Sequence, residues 1–301
     1  MSLTGVQIPL LRPGSEEWLR CMSSSKVAAV LGLSPYESRF SLWHRMTGAI
    51  PAQADSDVLR RGHYLEPGIA SWFADQHPEL AQGLGGTWRH GERTWQVASP
   101  DRLLFDDAEA ITPVAILEVK TAADDSDWGK PGTDDIPIGY RAQVMWQMDV
   151  VGVPVTHVAV LSAFLEFREY VVTYDPDEAD DIRSRCEAFM ATLPGGPNET
   201  RPNLDEHTAT YQAVRALNPD IDGNDVELPL ELADRYCVAV AAFKEVEAKK
   251  TAASSAVMDY LGAAKRATWG KRALASRRAV RDGLPFLVPG RNLPPSIKEL
   301  G

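Results

Sequence analysis

The chain has 301 residues, a formal charge of −11, and 44% hydrophobic and 24% charged residues, an ordinary balance for a globular protein. It contains no run of 18 apolar residues, and its start lacks the basic and apolar regions of a signal peptide, so neither a membrane span nor a leader is expected. The net charge argues against a protein that coats nucleic acid, and three scattered cysteines (Cys21, Cys186, Cys237) form neither a disulfide framework nor an all-cysteine iron–sulfur ligand set.

Ser15-Glu16-Glu17-Trp18 reads as a capped helix start. The serine triplet 23–25 is expected to cap a second helix, Lys26 to Leu31, ended by Gly32. Ser34-Pro35 turns the chain, "RFSLWHRMTG" is a short helix closed by Gly48, and residues 49–57 form a polar loop. "LRRGHYLEPGIASWFADQH" has helical spacing through Leu65, Ile69, Trp72 and Phe73, with Pro67 expected in the first turn or at a kink. That places Glu66 at or next to a helix start.

Gly83, Gly85 and Gly86 mark a loop, and "TWRHGERTWQVAS" reads as strands around a turn. Pro100-Asp101 leads into a strand near Leu103 to Phe105, and "VAILEVKTA" is a central strand. A polar loop precedes a helix over Ile138 to Val151; "THVAVLSAFLEFREYVVTYD" is a strand pair, and Asp175 to Leu193 an amphipathic helix. The expected fold is therefore α/β, a mixed β-sheet flanked by helices, over residues 1–200. The linker "PGGPNETRPN" separates it from a C-terminal extension, 201–301. That extension holds a long helix over about 230–262 with an apolar seam at alternating steps of four and three, then a closing β-hairpin in "ATWGKRALASRRAV". Residues 244–281 carry ten Lys and Arg against three acidic residues, either a solvated face or part of a path for DNA.

The chemistry concentrates at Asp101, Glu118 and Lys120. Residues two apart on a strand share a face, so Glu118 and Lys120 point one way while Leu117 and Val119 point the other. Charges in an apolar strand are costly unless paired or metal-bound. Glu118, joined by Asp101 and completed by the Val119 carbonyl, makes an oxygen site for a hard cation such as Mg²⁺ (or Mn²⁺), and Lys120 faces it to hold water or stabilise phosphate charge. An internal salt bridge is the structural alternative. This is the Pro-Asp…(Asp/Glu)-x-Lys nuclease pattern. A second match, Pro219-Asp220 with Glu247-Ala248-Lys249, falls in the long helix, where positions two apart diverge by about 200°.

Five pieces, in order, carry a wider likeness: "EEWLRCMSSSKVAAVLGLSPYES", "SLWHRMTG", "RGHYLEPGIASWF", "ASPDRLLFD" with "ILEVKTA", and "GYRAQVMWQMDVVG". Together they resemble the YqaJ-like viral recombinase family, relatives of phage lambda exonuclease within the PD-(D/E)XK superfamily, over about residues 15–175. The resemblance implies a restriction-endonuclease-like core with Asp101 and Glu118 as ligands and Lys120 as catalytic lysine. Glu66 would support a second metal ion, and Tyr140 and Gln143, with Gln147 continuing their stripe, would face the active site. It implies a 5′-phosphate pocket from Arg20, Ser24 and Ser25.

The implied function is a metal-dependent DNA exonuclease of phage recombination. It would act in the bacterial cytoplasm from a 5′ end of duplex DNA and leave a 3′ strand for a single-strand annealing protein. A homo-oligomeric ring is a further implication. A structure-specific or single-strand nuclease and a non-catalytic DNA-end-binding module are the alternatives. Trp146, three residues after Gln143, departs from the Gln-x-x-Tyr ending of RecB-type nucleases with iron–sulfur clusters.

Overall fold

The computed structural model describes residues 3–52, 56–281, 283–290 and 293–300, so part of the loop expected at 49–57, residues 53–55, lies outside the described residues. Two units result, 1–221 and 222–301. The first begins with β1 (Gly5–Ile8), α1 (Glu16–Arg20), β2 (Met22–Ser23), α2 (Ser24–Val30), α3 (Arg39–Met46) and α4 (Asp57–Gln76). The strands β3 (Ala81–Leu84), β4 (Thr87–His90), β5 (Gln96–Ala98), β6 (Arg102–Phe105) and β7 (Ala115–Thr121) follow. Then come α5 (Ile138–Val151), β8 (Val155–Leu161), β9 (Phe167–Thr173), α6 (Pro176–Met190) and α7 (Thr208–Leu217).

A five-stranded sheet runs β3-β6-β7-β8-β9, and a four-stranded sheet runs β1-β4-β5-β2. Only β7 and β8 pair in parallel in the larger sheet, because α5 carries the chain back across it; the other neighbours are antiparallel. This mixed sheet with helices on both faces is the expected α/β architecture. Ile116, Val158, Val160, Tyr170 and Val172 pack with Val144, Met145 and Met148 of α5 on one face. Leu117, Val119 and Ala159 pack with Ile69, Ala70 and Phe73 of α4 on the other. The alternation read in "VAILEVKTA" thus sorts residues between two cores.

Four expectations need correction. α2 starts at Ser24, and its N-cap Ser23 makes no side-chain capping bond; the Ser23 hydroxyl instead meets that of Ser25 at 3.0 Å. Pro67 lies inside α4, and Glu66 with it, far from either helix end. Packing of Ile69 and Phe73 under the sheet outweighs the hydrogen bond that proline cannot donate. The segment around Gly83 is strand β3, paired with β6; a Cβ there would come within 2.9 Å of the Phe105 ring, so the glycine serves packing. Finally, the first unit continues past the linker near residue 200 because α7 packs on α3, with Ala213 buried beside Phe40 and Ile50.

The second unit contains α8 (Leu230–Leu261) and the antiparallel strands β10 (Arg266–Trp269), β11 (Arg272–Arg278) and β12 (Phe286–Pro289). The long helix and the hairpin were expected; β12 was not. No residue of α8 is buried, and Tyr236, Phe243 and Val246 of the seam stand exposed.

Candidate active site

Asp101 enters the site from the residue before β6. Its placement depends on Gly85, whose Cβ, if present, would lie 1.7 Å from the Pro100 carbonyl oxygen. The Gly85 N–H donates to the Asp101 carbonyl at 3.3 Å, and the Trp88 indole donates to the Gly85 carbonyl at 2.9 Å. The β6–β7 ladder ends at the Arg102–Leu117 pair, one step before the site. The Val119 N–H, released from that ladder, donates to Asp101 Oδ2 at 2.7 Å. A strand residue sends its N–H and C=O to the same edge, so the Val119 carbonyl lies on the edge that Asp101 occupies.

Glu118 is 2% exposed and fully engaged. Lys120 Nζ and Gln143 Nε2 both donate to Oε1, the latter at 2.6 Å, and Gln147 Nε2 donates to Oε2 at 2.9 Å. Burial pushes the Asp101 carboxyl up to about 8, with the Glu118 charge adding to it, while Lys120 and the Val119 N–H oppose the shift. Burial also acts against the Lys120 charge, but Glu118 and Asp101 outweigh it and hold the ammonium above its ordinary value. Two carboxylates thus share one half-buried lysine, with too little positive charge for both. An all-oxygen donor set short of positive charge suits a hard divalent cation.

The other expected residues fall around this centre. Glu66 of α4 accepts from Arg102 Nη1 at 2.7 Å, and its charge is felt by Asp101. The Tyr140 ring lies under Lys120 Nζ at 5.0 Å. Tyr140 and Gln143 line a cleft of about 780 Å³, together with Ser24, Ser25, Thr121 and Trp128. The start of α2 therefore opens into the same cleft as the Gln143 amide. Arg20 is not among the lining residues: its side chain is 73% exposed and paired with Glu16.

Residues 12–154 match the YqaJ-like viral recombinase domain. The family likeness read from the five sequence pieces therefore holds over the segment that builds the site. The uncharacterized protein YqaJ of Bacillus subtilis (strain 168) is 28% identical over 220 residues, covering 69% of this chain. The chain spans about 65% of that relative's length. Among solved structures, the alkaline exonuclease LHK-Exo of Laribacter hongkongensis is similar at 21% identity and a TM-score of 0.44, covering 60% of this chain and 92% of that one. A phage-related exonuclease of Haemophilus somnus 129PT is similar at 11% identity and a TM-score of 0.44, covering 56% and 92%.

Within the YqaJ-like segment, two buried features carry no sequence signal. Lys26 of α2 is 1% exposed. Its Nζ donates to the Trp18 and Cys21 carbonyls at 2.6 Å each and sits 3.8 Å over the Trp18 ring. Burial lowers its pKa to about 7. It ties the end of α1 to α2, and in sequence it looks like any helix-surface lysine. Asp149 of α5 is the second. It accepts from Gln96, Arg93, Tyr174 and Arg183 at 2.6 to 3.1 Å, contacts that join strands and helices distant in sequence.

Proposed function

We propose that this protein is a divalent-metal-dependent DNA nuclease that degrades one strand of duplex DNA from a 5′ end. The observation that carries this reading is the meeting of Asp101, Glu118 and Lys120, with the Asp101 carboxyl accepting the Val119 N–H and Glu118 accepting from Gln143, which lines the cleft. The domain matched by residues 12–154 supports it, since a recombinase acts on DNA. No described helix is long and apolar enough to cross a membrane, which accords with action on DNA in the bacterial cytoplasm.

Asp101, Glu118 and the Val119 carbonyl would hold Mg²⁺ or Mn²⁺, and Glu66 would support a second ion. The metal would supply Lewis-acid stabilisation of phosphate charge and a more acidic water. Lys120, which pairs with Glu118, would orient the attacking water and stabilise the charge developing on phosphorus-bound oxygen. Gln147, buried behind Glu118, fixes the carboxylate, while Gln143 and Tyr140 on the cleft side position water and phosphate. Ser24 and Ser25 donate hydroxyls to the terminal 5′-phosphate. Arg20 joins them only by leaving Glu16.

The remaining 3′ strand would pass to a single-strand annealing protein, and a homo-oligomeric ring would keep the enzyme on its track. The basic residues of 244–281 would add sequence-independent phosphate contacts. Replacing Lys265, Arg266, Lys271 and Arg272 with Ala should then flatten the salt dependence of duplex binding by up to about four counterions. An unchanged slope assigns that cluster to solvent.

The deciding experiment is digestion of duplexes labelled at either end and carrying a 5′-phosphate or a 5′-hydroxyl, with Mg²⁺ and with chelator. The account expects Mg²⁺-dependent release of nucleotides from the 5′-phosphorylated end. Initial release from the 3′ end, or cutting of single strands alone, favours the structure-specific or single-strand alternative. Tight end binding without cleavage favours the non-catalytic module.

A further inference from the structure

On the opposite face of the five-stranded sheet, three ligand-type side chains from three elements converge. His77 follows α4, His157 lies on β8 and Glu169 on β9. His77 Nε2 meets Glu169 Oε2 at 2.7 Å, and His157 Nδ1 meets Glu169 Oε1 at 2.7 Å. One ligand atom from each residue lies within 4.8 Å of the others. The cluster is separate from the Glu118 site. His157 pairs with Leu117, whose side chain faces the α4 core, and Phe73 stacks on His77 at 4.4 Å and meets His157 edge-on at 5.4 Å.

Charge and geometry both ask for a cation here. His77 Nδ1 faces Glu79 Oε1 at 3.0 Å while its Nε2 faces Glu169. A neutral imidazole has one N–H, so it would leave a lone pair opposed to a carboxylate oxygen. If Glu79 takes the Nδ1–H, Nε2 becomes a ligand lone pair. That is the carboxylate–histidine arrangement that orients metal-bound imidazoles. Two imidazoles and a carboxylate form the borderline nitrogen–oxygen set of zinc, unlike the all-oxygen set at Asp101 and Glu118. Tetrahedral zinc ligands stand about 3.3 Å apart, so the two 2.7 Å contacts, one to each Glu169 oxygen, would open by about half an ångström, and wider separations within the 4.8 Å cluster would close to match. Side-chain exposures of 22%, 17% and 22% leave an entry path and room for a water as fourth ligand.

We infer that His77, His157 and Glu169 form an accessory site for a transition-metal ion of the Zn²⁺ class, which clamps the end of α4 to the β8–β9 hairpin. Since α4 also carries Glu66, the clamp steadies one wall of the candidate active site from behind. The inference does not depend on the nuclease reading.

The test uses the full chain, freed of metal, with Asp101→Asn and Glu118→Gln present so that the oxygen site cannot contribute. Calorimetry should find one Zn²⁺ per chain. Co²⁺ in its place should give the intense visible bands of four- or five-coordination. Zn²⁺ at a hundredfold excess over its dissociation constant should raise the melting temperature by about 5 °C or more. Adding Glu169→Gln, which preserves shape but removes the charge and turns one acceptor oxygen into a donor, should weaken Zn²⁺ binding at least about a hundredfold, as should His157→Ala. Glu79→Gln should weaken it about ten- to a hundredfold. Circular dichroism checks that each variant is folded. Failure to bind Zn²⁺ stoichiometrically overturns the inference, as does binding unaffected by Glu169→Gln and His157→Ala. The cluster is then an imidazolium paired with carboxylates.

Discussion

Asp149, on α5, and the Asp101–Glu118 pair, which α5 reaches through Gln143 and Gln147, solve the problem of a buried carboxylate charge in opposite ways. Asp149 receives two arginines, a glutamine and a tyrosine. Burial acts to raise its pKa, yet those donors hold it below the usual carboxylate range. Asp101 and Glu118 share a single lysine, and Asp101 is pushed up to about 8. The first site is complete as it stands and joins elements of the fold. The second is stable only with a proton or a further cation, which is the condition a metal-binding nuclease centre must meet. Burial alone does not separate a structural carboxylate from a functional one; the balance of positive charge around it does.

Substitutions should split the two sites cleanly. Asp101→Ala, Glu118→Ala and Lys120→Ala are each expected to cut nuclease activity at least about a thousandfold, the loss of several kcal/mol of transition-state stabilisation, with the fold retained. Asp149→Ala should instead cost about 3 kcal/mol of stability, since it removes the shared acceptor of Arg93, Arg183, Gln96 and Tyr174 from a buried position. Urea unfolding monitored by circular dichroism, beside an activity assay, checks both. Activity loss without destabilisation at Asp149 would erase the distinction.

The pH dependence of stability should also run in opposite directions. The folded value of Asp101, about 8, lies above its ordinary 3.8, so its stabilisation is full below about pH 4 and is lost as pH rises towards 8. Asp149 lies below 3.8, so its contribution is full above that value and is lost as pH falls through the lower folded value. In chelator, the melting temperature should therefore carry a declining contribution as pH rises from about 4 to 8, and Asp101→Asn should flatten that decline. Saturating Mg²⁺ should oppose it. Asp149→Asn should leave that decline unchanged and soften the acid limb.

Two smaller effects sharpen the geometry. Gly85→Ala puts a methyl group against the Pro100 carbonyl. It should displace Asp101 and reduce turnover about a hundredfold, with the proposed site residues themselves unsubstituted. Arg20→Ala removes an exposed pair with Glu16 and should change stability by less than about 1 kcal/mol. Its effect on activity should be confined to the preference for 5′-phosphorylated ends, read from competing phosphorylated and hydroxyl duplexes.

Local patterns in the sequence carried much of this structure. The Ile138 to Val151 helix has the expected bounds, because its apolar face is wide and Gly152 closes it in the left-handed conformation. The i, i+2 rule placed Glu118 and Lys120 on one face, where they bond to each other. Gln143 and Gln147, one turn apart on α5, both reach Glu118, so the expected stripe is real. What could not be read were features set by distant contacts. Pro67 argued for a helix start or a kink, and the core packing of Ile69 and Phe73 carries α4 through it. Gly83, Gly85 and Gly86 looked like loop markers; Gly85 and Gly86 do separate β3 from β4, but Gly83 lies in β3 against Phe105, and the close approach of Pro100 to Gly85 could not be read. Lys26 and Asp149 resemble surface charges until the partners from other elements are in place. In α8 the periodicity was legible, but period alone does not bury a face.

Cleavage of end-labelled duplex DNA by the wild-type protein and by Asp101→Asn, each with Mg²⁺ and with excess chelator, tests the central claim most directly. The account predicts nucleotide release only from wild type with Mg²⁺. Undiminished cleavage by Asp101→Asn, or by wild type in chelator, would contradict it.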